Sequence, residues 1–326
     1  MARRRPSTPG IDGVLLVDKP SGPTSHDVVA KVRRLAGQPR IGHGGTLDPF
    51  ATGVLVLVLG RATRLASLHL GGIKRYEATF SFGGQTTTDD LDGERVGERV
   101  GSATATATRD AVAALLPRFR GLLEQVPPSH SAKRTDGVRA YERARAGEVV
   151  ELAPRSVEVR HFELTSWDDS HPEEPLMSAV LEVSSGTYIR AIARDLGAAV
   201  GSGAHLVALR RTAAGAFDVA QAHAMEEVAQ AALEGRLRDL LLPLDAGLTA
   251  LPVGVITAEA GALITDGALI PDEMLDAAGR SVLEGEQLRL TIDGNLVALA
   301  RRTARGAQPE RVFTVPVLPR SVGVRR

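Results

Sequence analysis

The sequence predicts an α+β protein in which a mixed or antiparallel sheet forms the main domain and a small β-rich domain follows it. Three features support this prediction. Strand and helix signals follow one another without the regular β-α-β alternation that is typical of doubly wound folds. Residues 75–82 alternate in polarity, as a strand with one buried face does. After about residue 251 the chain changes to short strand signals.

The elements of the first domain are predicted from apolar periodicity and from capping and turn residues. Thr24 and Gly37 suit the start and the end of one helix, and Pro243 marks the end of another. Glycine or polar residues predict loops at 42–49, 83–108 and 125–139. The predicted elements are a strand at 13–17, a helix at 24–37, strands at 54–59 and 75–82, a helix at 111–119, strands at 156–165 and 177–184, and helices at 187–200 and 221–242.

A domain boundary is predicted near residue 250. Beyond it, two short strands at 288–292 and 296–300 flank Asp293-Gly294-Asn295, a sequence that is typical of a hairpin turn. We therefore expect residues 11–250 to form the first domain and residues 251–326 the second. Residues 1–10 are expected to form a disordered tail.

Composition excludes several kinds of function. None of the 326 residues is cysteine, which rules out disulfides, thiolate catalysis, cysteine-bound zinc and iron–sulfur clusters. The longest uninterrupted apolar run, residues 54–59, is too short to cross a bilayer. The basic residues at 1–10 are followed by no apolar segment, so a secretory signal is not expected. We expect a cytoplasmic protein that is not held in a membrane.

The distribution of charge is more informative than its sum, which is zero because 39 basic and 39 acidic residues balance. Basic side chains cluster at residues 31–40, 134–145 and 301–326, whereas acidic ones concentrate at 89–94. A single cluster is most often a solvated face. The balance argues against a polybasic coat over the whole protein, and any contact with nucleic acid would have to be local.

The loop at residues 42–49 carries the strongest candidate for chemistry, Asp48. The glycines of the loop allow backbone conformations that other residues avoid, and Pro49 restricts Asp48 to an extended conformation. A rigidly held carboxylate just before a buried strand can act as a nucleophile or a base. From the residues alone, a turn-capping aspartate is the commoner explanation of such a motif. His43 in the same loop is equally well explained by local backbone contacts.

A metal site at residues 88–99 can be dismissed. Asp90, Asp92 and Gly93 imitate part of a calcium-binding EF-hand loop. The first position would be Thr88 and the twelfth Arg99, where the loop requires an acidic first ligand and a glutamate. A polar turn is the better prediction, and we expect no bound metal.

An ordered set of motifs between about residues 13 and 211 resembles the TruB family, the bacterial synthases that make pseudouridine 55 in the T loop of tRNA. One such block could arise by chance, but the ordered set could not plausibly do so. The motifs are Gly13-Val14-Leu15-Leu16-Val17-Asp18-Lys19-Pro20, Gly42-His43-Gly44-Gly45-Thr46-Leu47-Asp48-Pro49, Ala51-Thr52-Gly53-Val54-Leu55, Gly60-Arg61-Ala62-Thr63, Lys74-Arg75-Tyr76, Ser185-Gly186-Thr187-Tyr188-Ile189-Arg190, Asp195-Leu196-Gly197, Gly203-Ala204-His205-Leu206 and Leu209-Arg210-Arg211.

The resemblance implies the fold of a pseudouridine synthase catalytic domain, with Asp48 as the catalytic carboxylate. It leaves open whether Asp48 attacks C1′ of the ribose, adds to C6 of the base or removes a proton from the sugar. Arg190 is expected to pair with this carboxylate and to orient it. Tyr76 would stack on a uracil that has been flipped out of the RNA, and Tyr188 would contribute to the base pocket. Without the resemblance, each of these three would be an ordinary packing or surface residue.

Other matching positions imply contacts with RNA. By the same analogy, His43 would occupy the space that the flipped base leaves, and Leu209 would border that base. Lys19 is expected to be structural or to contact a phosphate. Residues 121–150 resemble an RNA-gripping loop, with Arg134 as a contact, and residues 251–326 suggest a PUA-like RNA-binding domain. The loop departs from the family, which usually has Tyr-Ser-Ala, one further residue and lysine where this chain has His130-Ser131-Ala132-Lys133-Arg134.

The resemblance further implies that the protein needs no cofactor. The expected partner is the T stem-loop of tRNA, and we expect a monomer without an obligate protein partner. Two alternatives remain. A tRNA-binding folding factor without catalysis would keep the basic loops but would not need Asp48, and a related synthase could act at sites that a guide RNA selects.

Overall fold

The computed structural model describes residues 10–96, 107–128 and 152–313, together with the backbone of residues 134–135 and 138–139. Almost all of the predicted tail, and residues 129–133 and 136–137 of the predicted loop at 125–139, lie outside these residues. No helix in the described ranges is long and apolar enough to span a bilayer.

The described elements agree in most places with the sequence prediction. The α-helices are α1 (Ser25–Ala36), α2 (Ala66–Leu70), α3 (Arg109–Leu115), α4 (Ile189–Val200), α5 (Met225–Leu233), α6 (Ala260–Thr265) and α7 (Ala277–Ser281). The strands are β1 (Gly13–Lys19), β2 (Ile41–His43), β3 (Thr52–Leu59), β4 (Lys74–Phe82), β5 (Gln85–Thr86), β6 (Arg95–Val96), β7 (Gly121–Gln125), β8 (Arg134–Thr135), β9 (Val138–Arg139), β10 (Arg155–Asp168), β11 (Leu176–Val183), β12 (Ala204–Ala214), β13 (Phe217–Asp218), β14 (His223–Ala224), β15 (Val253–Val255), β16 (Ile270–Pro271), β17 (Gln287–Ile292), β18 (Asn295–Thr303) and β19 (Gly306–Val312).

One large mixed sheet carries the first part of the chain. Its strands follow the order β14-β1-β3-β12-β4-β11-β10-β7, with β2 added to β3 and β13 added to β12. The β3–β12 and β1–β14 pairs are parallel, and the others along this path are antiparallel. The predicted α+β class with a mixed sheet is thereby confirmed.

Helices cover one face of the large sheet and form its main core. Apolar side chains of α1, α3, α4 and α5 pack there against β1, β3, β4, β11 and β12. On β4 the side chains of Tyr76, Ala78, Phe80 and Phe82 are all buried, as their alternation predicts. Helix α1 begins as its sequence predicts, because Thr24 and Asp27 form a reciprocal capping box, and it ends at Gly37 in the left-handed conformation.

One prediction for the first domain is wrong, and one strand was not predicted. Residues 221–242 do not form one helix: β14 pairs with β1, α5 ends before Gly235, which has a positive φ of 71°, and a short 3-10 turn (Leu237–Leu240) follows. No strand was predicted at residues 204–214, where β12 lies between β3 and β4. Register shifts between Leu206 and Ala208 and between Arg211 and Ala213 interrupt the alternation of polarity that would have revealed this strand.

A second, smaller sheet follows in the order β15-β17-β18-β19-β16. The predicted hairpin is present, since Asp293 and Gly294 join β17 to β18 with positive φ values of 49° and 76°. Arg289 of β17 pairs with Asp245 at 2.8 Å, which ties this sheet to the end of the first part of the chain. Leucines from both parts share a small apolar cluster with Phe313. The boundary near residue 250 and the PUA-like character of residues 251–326 stay predictions.

Candidate active site

The loop that carries Asp48 joins β2 to β3 and is held at both ends. The hydroxyl of Ser25, the first residue of α1, accepts a hydrogen bond from the Leu47 amide at 2.8 Å and donates to the Leu47 carbonyl at 3.0 Å. On the other side of Asp48, the carbonyl of Pro49 accepts hydrogen bonds from Lys19 Nζ and from the Gly22 amide, both at 2.9 Å. The backbone around Asp48 is therefore fixed before any substrate is present.

Asp48 makes a bidentate ion pair with Arg190, as the resemblance implies. Nε of Arg190 donates to Oδ2 of Asp48 at 2.9 Å, and Nη2 donates to Oδ1 at 3.0 Å. Such a fork fixes the direction of the carboxylate as well as its charge environment. The Arg190 side chain is only 5% exposed, whereas that of Asp48 is 32% exposed. The carboxylate is held from the protein side and remains open on the other.

The acidic turn between β5 and β6 holds Arg190 from behind. Nη1 of Arg190 donates to the carbonyl of Thr88 at 2.9 Å and lies 3.3 Å from Oδ2 of the buried Asp90. Asp89 in the same turn lies 3.4 Å from Arg194, one helical turn further along α4. Burial raises the pKa of the Asp89 carboxyl, and the charge of Arg194 opposes this effect. A polar turn was predicted here from the sequence, but its contact with Arg190 was not.

A cavity of about 260 Å³ lies against the open side of Asp48. Four of the residues predicted for the base pocket and catalysis line it together with Asp48: Tyr76, Tyr188, Arg190 and Leu209. Two further cations, Lys74 and Arg211, also line it. Among the described residues, Asp48 is the only carboxylate in its wall. A larger cavity of about 680 Å³ shares Leu209 with this one but contains none of the other predicted site residues.

Tyr76, Leu209 and Tyr188 reach the cavity from different elements. Tyr76 lies on β4 and Leu209 on β12, where Leu209 pairs with Ala78 on the neighbouring strand. Tyr188 directly precedes α4, and its backbone is fixed by Gln125 at the end of β7. The Gln125 side chain accepts a hydrogen bond from the Tyr188 amide at 2.8 Å and donates to its carbonyl at 3.1 Å. Gln125 was not predicted as a site residue, since a single glutamine at the start of a predicted loop belongs to no recognisable motif.

The remaining predicted residues lie outside this cavity. His43 ends β2 and packs edge-to-face against His26, with ring centroids 5.4 Å apart. Within the described residues, the buried Nδ1 of His43 has no hydrogen-bond partner. Burial is the main cause that lowers the pKa of His43, and the charges of His26 and Arg211 add to it. Arg134 belongs to β8, and its side chain lies outside the described residues.

Lys19 is completely buried, and of its two expected roles the geometry supports the structural one. Its ammonium donates to the carbonyls of Pro20, Pro23 and Pro49 at 2.7–2.9 Å, which uses all three of its donors. Burial lowers the pKa of Lys19 to about 8. Lys74 is buried beside the cavity, and burial together with the charge of Arg211 lowers its pKa to about 8 as well.

The described residues contain no group of three histidine or acidic side chains that could hold a metal ion. The cavity instead combines one open carboxylate, its arginine partner, two further cations and two tyrosines. An arrangement of this kind can present an oriented carboxylate to a flat, polar ring that enters the cavity. Aromatic side chains provide a stacking surface for such a ring.

Comparison with known proteins agrees with this geometry. Residues 33–189 match the family model of the TruB family pseudouridylate synthase (N terminal domain), and residues 190–249 match that of the tRNA pseudouridylate synthase B C-terminal domain. The tRNA pseudouridine synthase B of Thermobifida fusca is 44% identical over 306 residues, which cover 93% of this chain and 98% of that protein. The enzyme of the same name from Nocardia farcinica is 43% identical over 320 residues, which cover 97% and 98%.

Solved structures show the same fold at lower identity. A chain in the crystal structure of a Cbf5-Nop10-Gar1 complex is 26% identical, with a TM-score of 0.67 over 93% of this chain and 85% of that one. A chain in the archaeal box H/ACA sRNP Nop10-Cbf5 complex is 25% identical, with a TM-score of 0.68 over 94% and 89%.

Proposed function

The chain belongs to the TruB family of pseudouridine synthases, and on that basis we propose that it converts uridine 55 in the T loop of tRNA to pseudouridine. The protein is thus an isomerase of tRNA. The observation that carries the proposal is the bidentate Asp48–Arg190 pair, whose carboxylate remains open to a cavity with two tyrosines in its wall.

The proposed reaction needs an oriented carboxylate. Pseudouridine formation breaks the C1′–N1 bond, turns the uracil and joins C5 to C1′, so no atom is gained or lost overall. We propose that Asp48 acts directly on the nucleotide, by attack at C1′, addition at C6 or removal of a sugar proton. Arg190 keeps the carboxylate aligned through both of its oxygens, and this supports any of the three routes.

We propose that the target uridine is flipped out of the RNA before it reacts. Extruding a base costs a few kcal/mol, and stacking on an aromatic side chain returns about 1–3 kcal/mol. The positions of Tyr76, Tyr188 and Leu209 around the cavity support their role as the walls of the base pocket. His43 lies outside that cavity, which is compatible with its proposed role in the space that the base leaves.

The relatives favour tRNA as the substrate over guide-selected RNA. The two tRNA pseudouridine synthase B enzymes named above are 43–44% identical to this chain over nearly its whole length. The two chains from the Cbf5 complexes are 25–26% identical to it. A folding factor without catalysis would have no use for a carboxylate that is oriented by a buried arginine and open to a cavity. We propose a cytoplasmic enzyme that uses no cofactor.

The decisive experiment is to map pseudouridine in a tRNA transcript after incubation with the purified protein and no added cofactor. A single new pseudouridine at position 55 of the T loop is the expected result. Modification at other positions only, or modification that depends on an added guide RNA, would contradict the proposed substrate. A transcript with cytidine at position 55 is the matched control and should acquire no pseudouridine.

A further inference from the structure

Arg211 is a buried cation that has no part in the reaction proposed above. It lies on β12 opposite Tyr76 of β4, and its side chain is one of the largest that are completely buried in the described structure. It lines the same cavity as Asp48 and Arg190. An arginine stays charged inside a protein, so this position places a permanent positive charge in the wall of the site.

Within the described residues, the hydrogen bonds of the Arg211 side chain all go to backbone carbonyls on either side of Asp48. Nη2 donates to the carbonyl of Gly45 at 3.2 Å, Nη1 to that of Thr46 at 3.3 Å, and Nε to that of Val54 at 2.9 Å. Gly45 and Thr46 lie three and two residues before Asp48 in the same loop. The guanidinium therefore joins the first half of the catalytic loop to the strand that follows it.

The surroundings of Arg211 are costly for a residue that served stability alone. Within the described residues, no carboxylate lies within ion-pair distance of its guanidinium, although burial of a charge is expensive unless it is paired. Arg302 of the small sheet offers a contrast. It is also buried and donates to three carbonyls, those of Thr303, Gly306 and Arg280, but it also pairs with Asp272 at 2.9 Å.

The main chain at Gly53 and Gly45 comes unusually close to Arg211, and this fixes the position of Arg211 relative to the loop that carries Asp48. At Gly53, where φ is +104°, a Cβ atom would lie 2.2 Å from the Arg211 carbonyl. The parallel pairing of Arg211 with Gly53 thus brings β12 against the start of β3 without an intervening side chain. At Gly45, where φ is +128°, the loop passes the guanidinium in a conformation that other residues rarely adopt.

We propose that Arg211 is a positioning residue for Asp48 that acts through the backbone of the catalytic loop. Arg190 orients the carboxylate itself, Lys19 holds the Pro49 carbonyl after Asp48, and Arg211 holds the Gly45 and Thr46 carbonyls before it. This inference rests on the proposed function of Asp48. It predicts that loss of the guanidinium fork misplaces the carboxylate without removing any contact with the RNA.

The test compares Arg211→Lys with Arg302→Lys in the full-length protein. Lysine keeps the charge but cannot reach three carbonyls in the geometry of a guanidinium. We expect Arg211→Lys to lower the single-turnover rate of pseudouridine formation on the order of 10²-fold, because a shift of about 1 Å at a reacting group costs this much. Its Kd for tRNA should stay within about threefold of wild type, which corresponds to about 0.7 kcal/mol of binding free energy, because the substitution removes no contact with the RNA. Arg302→Lys should keep the wild-type rate.

Several results would overturn the inference. An Arg211→Lys protein with the wild-type rate would show that the loop does not need the fork, and an equal loss of rate and affinity would show that Arg211 contacts RNA instead. If Arg211→Lys does not fold, Gly45→Ala tests the same loop segment with the arginine intact, and an unchanged rate in that variant would again contradict the proposal. The wild-type protein separates the two claims: an inactive wild type refutes the proposed function, whereas an active wild type with an equally active Arg211→Lys refutes only the positioning role.

Discussion

The arginine–aspartate pair Arg289–Asp245 lies beside the small sheet and the pair Arg190–Asp48 beside the large sheet, and the two pairs differ in one respect. Arg289 and Asp245 lie 2.8 Å apart and are almost equally exposed, at 15% and 16%. Arg190 and Asp48 are as close, at 2.9 Å, but their exposures are 5% and 32%. The first pair is closed on both sides and joins two parts of the chain. The second is closed on the arginine side only and leaves its carboxylate open to a cavity.

This asymmetry separates a functional pair from a structural one better than distance does. A structural pair gains most when both partners are shielded and fully hydrogen-bonded. A catalytic carboxylate must instead be oriented from behind while it keeps a free face for the substrate. Arg190 meets this need because its third nitrogen, Nη1, contacts the Thr88 carbonyl and Asp90 behind it. Four predictions test the contrast, in order of decreasing expected effect.

Removal of the open carboxylate should have the largest effect. We expect Asp48→Asn to lower the rate of pseudouridine formation at least ~10⁴-fold, as loss of a group that acts directly on the substrate does. Its affinity for tRNA should be nearly unchanged, because the amide keeps the shape of the side chain. The matched variant Asp245→Asn should keep the rate and lose about 1.5–3 kcal/mol of unfolding free energy. Single-turnover assays and thermal unfolding would measure both, and substantial product from a folded Asp48→Asn protein would refute the assignment.

Weakening of the guanidinium fork should have the next largest effect. Arg190→Lys keeps a charge but cannot bind both carboxylate oxygens, so we expect a rate loss on the order of 10²-fold. Arg289→Lys in the closed pair should lower the melting temperature and leave the rate near that of wild type. Equal rate losses in the two variants would mean that the contrast between the pairs has no functional meaning.

On the open side of the Asp48–Arg190 pair, Tyr76 lines the cavity and is proposed to stack on the flipped uracil. Tyr76→Leu should cost about 1–3 kcal/mol of stacking, or roughly 5- to 150-fold in kcat/KM. Tyr76→Phe keeps the ring and should stay within a few fold of wild type. Because Tyr76 is buried in the sheet, both variants need a check of thermal stability. Equal activity of the two folded variants would remove stacking as the explanation.

Salt dependence should distinguish arginines that contact phosphate from those paired within the protein, and this effect is the smallest. Tight binding of tRNA should weaken as salt rises, because phosphate contacts release counterions. Arg134→Gln should lower the slope of log Kd against log salt concentration by about 1. Arg289→Lys should leave the slope unchanged. A slope that is flat in the wild-type protein, or unaffected by Arg134→Gln, would contradict the proposed grip on the RNA.

Local patterns in the sequence predicted much of the fold because most elements have clear signals. The capping box of α1, the alternation on β4 and the Asp293-Gly294 turn each appear within a few residues and are present in the structure. Strand β12 was missed because two register shifts break its alternation. The false helix at 221–242 arose because apolar periodicity continued past Gly235, where a left-handed φ ends the helical segment.

The candidate site could be predicted only where motifs mark it. Asp48, Tyr76, Tyr188, Arg190 and Leu209 meet around one cavity, as the resemblance implied. The roles of Asp90, Gln125 and Arg211 were not predictable, although Arg211 stands in one of the motifs, because these residues act through contacts between positions far apart in the chain. Such contacts leave no local pattern, and a buried arginine that binds carbonyls looks in sequence like any basic residue on a strand.

The length of chain between Asp48 and Arg190 affects when the protein becomes active during its synthesis. The partners are 142 residues apart, and the ribosome adds about 5–20 residues per second, so roughly 7–28 s pass between them. Throughout this interval the nascent chain contains the Asp48 carboxylate but not the Arg190 guanidinium that aligns it. Strand β12, which lies between β3 and β4, is made later still. Chains that end before β12 therefore lack part of the site, and we expect activity to begin only when most of the polypeptide has left the ribosome.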